Sequence, residues 1–259
     1  MPQAGPGKSK RAIITGGASG IGRETALRLH AEGWEVWCLD LNMPDAAGGP
    51  RPDMPGMAHL SCDVSDIGSV RAAMARIAEG ADSIDALICS AGVLRTGSLM
   101  DHTPEDVDLM MNVNIKGPWL VVREALGLLS KDSTVEDPAR VVFVGSISGI
   151  RPKVGSGFYA ASKAALHVLT GVLAVELAPR GILVNAVAPG TVLTPMITAA
   201  APSSGPAGYK PSGESPLGRI ASVDDVAGVI LFFLGGAAKY VTGTVLPVDG
   251  GTRAAFQPR

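Results

Sequence analysis

Arg11-Ala12-Ile13-Ile14-Thr15-Gly16-Gly17-Ala18-Ser19-Gly20-Ile21-Gly22 is the stretch whose reading decides the fold. Arg11–Thr15 is a short, mostly apolar run of strand length, and from residue 20 to residue 33 apolar residues recur at helical spacing. A glycine turn between a strand and a helix lets the chain reverse tightly. It also brings an anion against the backbone N–H groups of the helix N-terminus. Gly16, Ser19, Gly20, Ile21 and Gly22 are therefore candidate contacts for a pyrophosphate. The spacing is Gly-x-x-x-Gly-x-Gly rather than Gly-x-Gly-x-x-Gly, so the turn carries weight mainly because it follows the first strand.

Outward from this turn the same alternation repeats. Strands are expected at Arg11–Thr15, Glu35–Asp40, 57–62, 84–90, 140–145, 182–188 and 244–248. Helices are expected at 20–33, 66–79, 104–129, 157–178 and Val223–Leu234. Strands alternating with helices imply parallel βαβ units. The expected fold is α/β, a single Rossmann-type doubly wound parallel sheet of about seven strands with helices on both faces. No composition break divides residues 11–259, so one domain is expected, preceded by a disordered tail at residues 1–10. Two stretches break the rhythm. Residues 41–56 carry Pro44, Pro50, Pro52 and Pro55, which forbids a regular helix there. Residues 190–216 are rich in Pro, Gly, Ser and Ala, and a loop of this length inside a compact domain reads as a mobile lid over the site.

The composition narrows the partners. A formal net charge of −2 with only 18% charged residues gives no basic patch for nucleic acid. Cys38, Cys62 and Cys89 are an odd set at wide spacing, and read as small buried hydrophobes in a reducing compartment. His30, His59, His102 and His167 form no ligand pattern, so no metal is expected. The polar N-terminus lacks the apolar stretch of a signal peptide, and no segment reads as apolar for the length of a membrane span. These points describe a soluble cytoplasmic protein.

Two further features carry chemistry. Asp40 closes the second strand, 18 residues after Gly22. A carboxylate there can accept hydrogen bonds from both ribose hydroxyls of an adenosine. In Tyr159-Ala160-Ala161-Ser162-Lys163 the phenol and the ammonium stand at i and i+4, on one face of a helix. A neighbouring cation favours phenolate, which turns a group of pKa near 10 into an acid/base usable nearer neutrality.

Taken together, these segments resemble the short-chain dehydrogenase/reductases. The glycine segment, Asp63, Ser90-Ala91-Gly92, Asn114, Ser146, the Tyr159/Lys163 pair, Pro189-Gly190-x-x-x-Thr194 and the ending Val248-Asp249-Gly250-Gly251 follow that family's order and spacing over residues 11–251. The resemblance implies an NAD-dependent oxidoreductase moving hydride between the nicotinamide and a secondary alcohol/ketone pair. It implies Tyr159 as general acid/base and Lys163 as the group that lowers its pKa and holds the nicotinamide ribose. Ser146, 13 residues before the tyrosine, would hydrogen-bond the substrate oxygen, with Ser148 a nearby competitor. Asn114 would hold a water of the proton relay. Asp63 and Val64 would contact the adenine. Ser90, Ala91 and Gly92 would line the cofactor, and Pro189, Gly190, Val192 and Thr194 would flank the nicotinamide.

The same resemblance implies NAD rather than NADP, and a homotetramer or homodimer built on the helices at 104–129 and 157–178. The chain departs from the family at Cys89-Ser90, where Asn-Asn is usual, and at the Pro-rich 41–56, which replaces a helix. A non-catalytic dinucleotide-binding or scaffold protein on this fold is the alternative, against which the Asn-Ser-Tyr-Lys set argues. For the substrate, Arg95, Arg151 and Lys153 fall in expected rim segments and could meet an anion. The segments around them look similar to 2,3-dihydro-2,3-dihydroxybenzoate dehydrogenases.

Overall fold

Alternation along each strand is what builds the core. The computed structural model describes residues 9–42, 54–200 and 213–254. In it the strands are β1 (Arg11–Thr15), β2 (Glu35–Asp40), β3 (Ala58–Ser61), β4 (Ala86–Cys89), β5 (Ala139–Val144), β6 (Ile182–Pro189) and β7 (Val245–Val248). They pair in parallel in the order β3-β2-β1-β4-β5-β6-β7. Successive side chains point to opposite faces, and here both faces are buried. Ile13, Leu87, Val141 and Phe143 face one layer, of α2 (Ile67–Ala78), α4 (Gly117–Ser130) and α5 (Gly157–Leu177). Ala12, Ile14, Ile88 and Val142 face the other, of α1 (Gly20–Ala31) and α7 (Val223–Leu234). Each fully buried side chain of the Leu or Phe kind stabilises the fold by about 1.5–3 kcal/mol.

The order of winding reverses between β1 and β4. The chain leaves β1 toward β2 and β3, then returns to β4 and continues the other way. The crevice above the carboxyl ends of β1 and β4 is where such sheets hold ligands.

Four elements differ most from expectation. The helix expected at 104–129 is broken into α3 (Pro104–Met111), a π-helical turn at Asn112–Lys116 and α4. Pro118 supplies the reason: it has no N–H for the carbonyl of Asn114 four residues back, and its ring crowds that carbonyl. A short helix α6 (Pro195–Ala200) stands in the segment read as loop. The third and fourth strands are shorter than the expected 57–62 and 84–90. Of the segments singled out, residues 1–8 of the tail, 43–53 of the Pro-rich stretch and 201–212 of the lid lie outside the described residues.

One reading is corrected. Residues 157–180 form a helix long and apolar enough to cross a membrane by length and composition. The physical reason is its place in the fold: Leu166, Leu173, Ala174 and Leu177 pack in the core between helix and sheet.

Candidate active site

The glycine turn fits the residues around it so closely that side chains are excluded. Gly16 has φ +69, in the left-handed region, and a Cβ on it would lie 2.7 Å from Ala91 N. A Cβ on Gly22 would overlap the carbonyl oxygen of Gly16. The turn after β1 and Ser90-Ala91 after β4 therefore abut, and Thr15 Oγ1 accepts a hydrogen bond from Ala91 N at 3.2 Å. Gly20 also has positive φ, +55.

Ser19 precedes α1 without capping it, and no acidic residue stands in the first turn. The helices α2, α3 and α7 are capped instead by Asp66, Thr103 and Ser222. A cradle without Cβ atoms at an uncapped helix N-terminus fits a pyrophosphate, whose oxygens would supply the missing acceptors.

Asp40 sits at the end of β2 beside this turn. Its Oδ2 accepts from Ala18 N at 3.1 Å and its Oδ1 from Asn42 N at 3.0 Å. Asp63 is held by Ser65, whose N and Oγ both donate to Oδ1 at 2.8 and 2.7 Å. Val64 is buried against Gly117. These residues line one end of a cleft of about 760 Å³, within the range of small-molecule sites.

The other end carries the reacting groups. Ser146, Tyr159 and Lys163 line it together with Pro189, Gly190, Val192 and Thr194. Lys163 is buried; its Nζ donates to Val144 O at 2.9 Å and lies 5.8 Å from the centroid of the Tyr159 ring. Burial brings the Lys163 ammonium down to about 8. Ser146 stands at the start of a tight turn, where its Oγ accepts from Ser148 N at 3.1 Å. Ser148 is also buried but does not line the cleft, so geometry separates the two serines.

Asn114 is fully buried in the π-helical turn. Its Oδ1 accepts from Val93 N at 2.9 Å, and its Nδ2 donates to Val93 O and Ser162 Oγ, both at 3.0 Å. Both amide hydrogens are thus committed. The side chain clamps the backbone just after Ser90-Ala91-Gly92 rather than facing the cleft.

All the expected site residues except Asn114 and Gly22 line the cleft; these two lie behind its wall. Sequence reasoning missed Cys62, Leu109 and Val113, which also line it, and it placed Met196 only within the lid segment as a whole. The Met196 methyl lies 3.9 Å from where a Cβ of Gly92 would stand. No periodic signal marks Met196, because α6 is only six residues long and opens on Pro195. The thiol of Cys62 is pushed up to about 11, first by burial, which leaves it unreactive.

Of the three rim cations only Arg95 lines the cleft, with its Nε 3.3 Å from Asp106 Oδ1. Arg151 donates instead to the carbonyl of Thr252. Lys153 is half-buried away from the cleft, where burial lowers its ammonium pKa.

Known proteins are similar to this chain in sequence and in fold. Residues 16–253 match the family model described as enoyl-(acyl carrier protein) reductase. The chain is 36% identical to the oxidoreductase UcpA of Salmonella typhimurium over 94% of both chains. Its structure is similar to 3-ketoacyl-(acyl-carrier-protein) reductase from Brucella melitensis complexed with NADH, with TM-score 0.82 and 27% identity over 95% of this chain and 98% of that one. It is likewise similar to the RhlG/NADP active-site complex of Pseudomonas aeruginosa, with TM-score 0.83 and 28% identity over 94% and 96%. With the parallel sheet, the glycine cradle and the Tyr159/Lys163 helix set beside these matches, the chain belongs to the short-chain dehydrogenase/reductase family of oxidoreductases.

Proposed function

We propose that this protein transfers hydride between NAD(H) and a secondary alcohol/ketone pair, with Tyr159 as general acid/base. The observation that carries this reading is the buried Lys163 ammonium 5.8 Å from the Tyr159 ring at the wall of the cleft. When bound, the dinucleotide supplies the hydride donor or acceptor. The chain's own residues do the rest. Gly16, Ser19, Gly20 and Ile21 hold the pyrophosphate, with Gly22 packed behind them against Gly16, and Asp40 holds the adenosine ribose. Asp63 and Val64 flank the adenine, while Ser90, Ala91 and Gly92 form the wall between the two ends. Pro189, Gly190, Val192 and Thr194 flank the nicotinamide.

At the reacting end, Ser146 Oγ donates to the substrate oxygen. Tyr159 Oη gives a proton to that oxygen in reduction and takes it in oxidation, and Lys163 favours the phenolate. Asn114 serves through its backbone: Pro118 removes the α-helical donor to its carbonyl, and that carbonyl is the place for the relay water. Residues 11–259 form one domain in this reading, with the lid at 190–216.

The test is a panel of secondary alcohols and ketones, acidic and neutral, followed by NADH formation or loss. Turnover of at least one member is expected. NADH binding with no turnover across the panel would favour a binding protein. Because Arg95 is the rim cation that lines the cleft, acidic members are expected to lose their advantage in Arg95→Ala. Better turnover of every neutral analogue would remove the anion-binding role.

The assembly we propose is a homotetramer, with the homodimer as its smaller unit. Val168, Val172 and Val175 lie at i, i+4 and i+7 on the outer side of α5, 69%, 48% and 76% exposed, and Trp119 of α4 is 40% exposed. An apolar stripe on a helix whose other side is core suits burial against a second copy about a two-fold axis. Sedimentation velocity at micromolar concentration is expected to give a species of two or four chains, and a monomer alone would overturn this. The buried free thiols suit the reducing cytoplasm.

A further inference from the structure

The mechanism above leaves His167 without a task. It follows Lys163 by four residues and Tyr159 by eight, so the three side chains succeed one another along one face of α5. Its ring is seated against both ends of the turn that presents Ser146. A Cβ added at Gly145 would overlap His167 Nε2 and come within 2.9 Å of its Cδ2. A Cβ added at Gly149 would come within 2.8 Å of its Cε1. Neither glycine has positive φ. These positions therefore require glycine for space and not for backbone conformation, and at Gly145 the space is taken chiefly by the imidazole.

The turn is tied to its surroundings on the other side. Gly145 N donates to Val187 O at 2.8 Å, and Lys163 Nζ donates to the carbonyl of Val144, the residue just before the turn, at 2.9 Å; within the turn Gly149 N donates to Ser146 O at 3.0 Å. His167 closes the remaining side. Its Nε2 is buried with no hydrogen-bond partner among the described residues. An unpaired buried nitrogen is a costly way merely to fill space, where an apolar side chain would serve. What distinguishes the imidazole is that it is flat and small enough to lie between two glycines. Burial, with the Lys163 ammonium second, lowers its pKa to about 4, so the ring is uncharged near neutrality.

We propose that His167 is a positioning residue: its ring is the floor on which the turn 145–149 rests, and it sets where Ser146 Oγ stands relative to Tyr159. The proposal rests on the reading of Ser146 and Tyr159 as the groups that meet the substrate oxygen.

The test compares His167→Ala, Gly145→Ala, Gly149→Ala and the two doubles with His167→Ala. For each, Tm, the NADH dissociation constant and kcat on the best substrate of the panel are measured. His167→Ala is expected to lower kcat about tenfold, a small displacement of a reacting group being enough for that, with NADH affinity changed by less than twofold. Gly145→Ala alone is expected to lower both Tm and kcat. Adding His167→Ala should recover much of each loss, because the new methyl enters the space the ring has left. Gly149→Ala should gain nothing from the same addition, since its Cβ would also lie 2.7 Å from Ala164 N and Lys163 C, which are backbone.

The Tm cycle reads the contact without any chemistry, and the kcat cycle reads its consequence. Coupling in Tm without coupling in kcat would overturn the positioning role and leave the Tyr159 assignment standing. So would kcat of His167→Ala within twofold of wild type, or a parallel fall in NADH affinity. Undiminished turnover in Tyr159→Phe would instead overturn the site reading itself.

Discussion

Tyr159→Phe is expected to bind NADH as the wild type does and to lose about 10²- to 10⁴-fold in kcat, the usual worth of a positioned acid/base. The substitution removes one oxygen and keeps the ring that lines the cleft. The contacts assigned to the cofactor come from the glycine turn, Asp40, Asp63 and Val64, the wall at residues 90–92, Lys163 and the β6 end, and none of these depends on that hydroxyl. Lys163 keeps its bond to Val144 O at 2.9 Å, so the local frame survives. Ser146 remains as a donor to the substrate oxygen but cannot deliver the proton at a comparable rate, because nothing lowers the pKa of its hydroxyl. The check is a fluorescence titration with NADH beside steady-state kinetics on one substrate. A variant keeping half the wild-type kcat would show that the proton travels by another group.

The part of this site that was legible in the sequence is the part fixed by local chemistry. The turn at residues 15–22 could be read because only glycine tolerates the conformation of Gly16 and the contact of Gly22 with Gly16. The Tyr159/Lys163 pairing could be read because helix geometry alone brings i and i+4 together. The break in the long helix was written at Pro118, but the surrounding apolar spacing continued through it, and periodicity outweighed one residue. Asn114 was singled out only through the family resemblance. Its side-chain bonds to Val93 and Ser162 were not readable, because they join residues 21 and 48 positions away. Family spacing already favoured Ser146 over Ser148, and the turn geometry separates the two in the same sense. The separation of Arg95 from Arg151 and Lys153 needed the structure, because they differ in three-dimensional direction and not in composition. The helix α6 was missed because six residues opening on Pro195 show no period.

Cofactor choice is expected to rest on Asp40, with NAD preferred over NADP by about 30- to 150-fold in kcat/KM. The carboxylate is oriented by two backbone donors, Ala18 N and Asn42 N, at 3.1 and 3.0 Å. Two ionised oxygens offer about four acceptor sites, so two remain for ribose hydroxyls. A 2′-phosphate at the same place would set a negative charge against a fixed negative charge. At 4 Å and an effective dielectric near 20, unit charges repel by about 4 kcal/mol. Asp40 is half-buried at the cleft edge, so solvent and salt reduce this to roughly 2–3 kcal/mol, which is the 30- to 150-fold preference. A cation could offset the repulsion just before the second glycine of the motif or just after β2, but those positions hold Ser19 and Leu41. Arg51 of the Pro-rich stretch lies outside the described residues. Asp40→Ala should therefore weaken NAD, which loses its acceptor, and relieve NADP, which loses its repulsion, so the ratio moves toward one from both sides. The measurement is kcat/KM for both cofactors at one salt concentration, in wild type and variant. Equal values in wild type, or a ratio unmoved by the substitution, would take Asp40 out of this role.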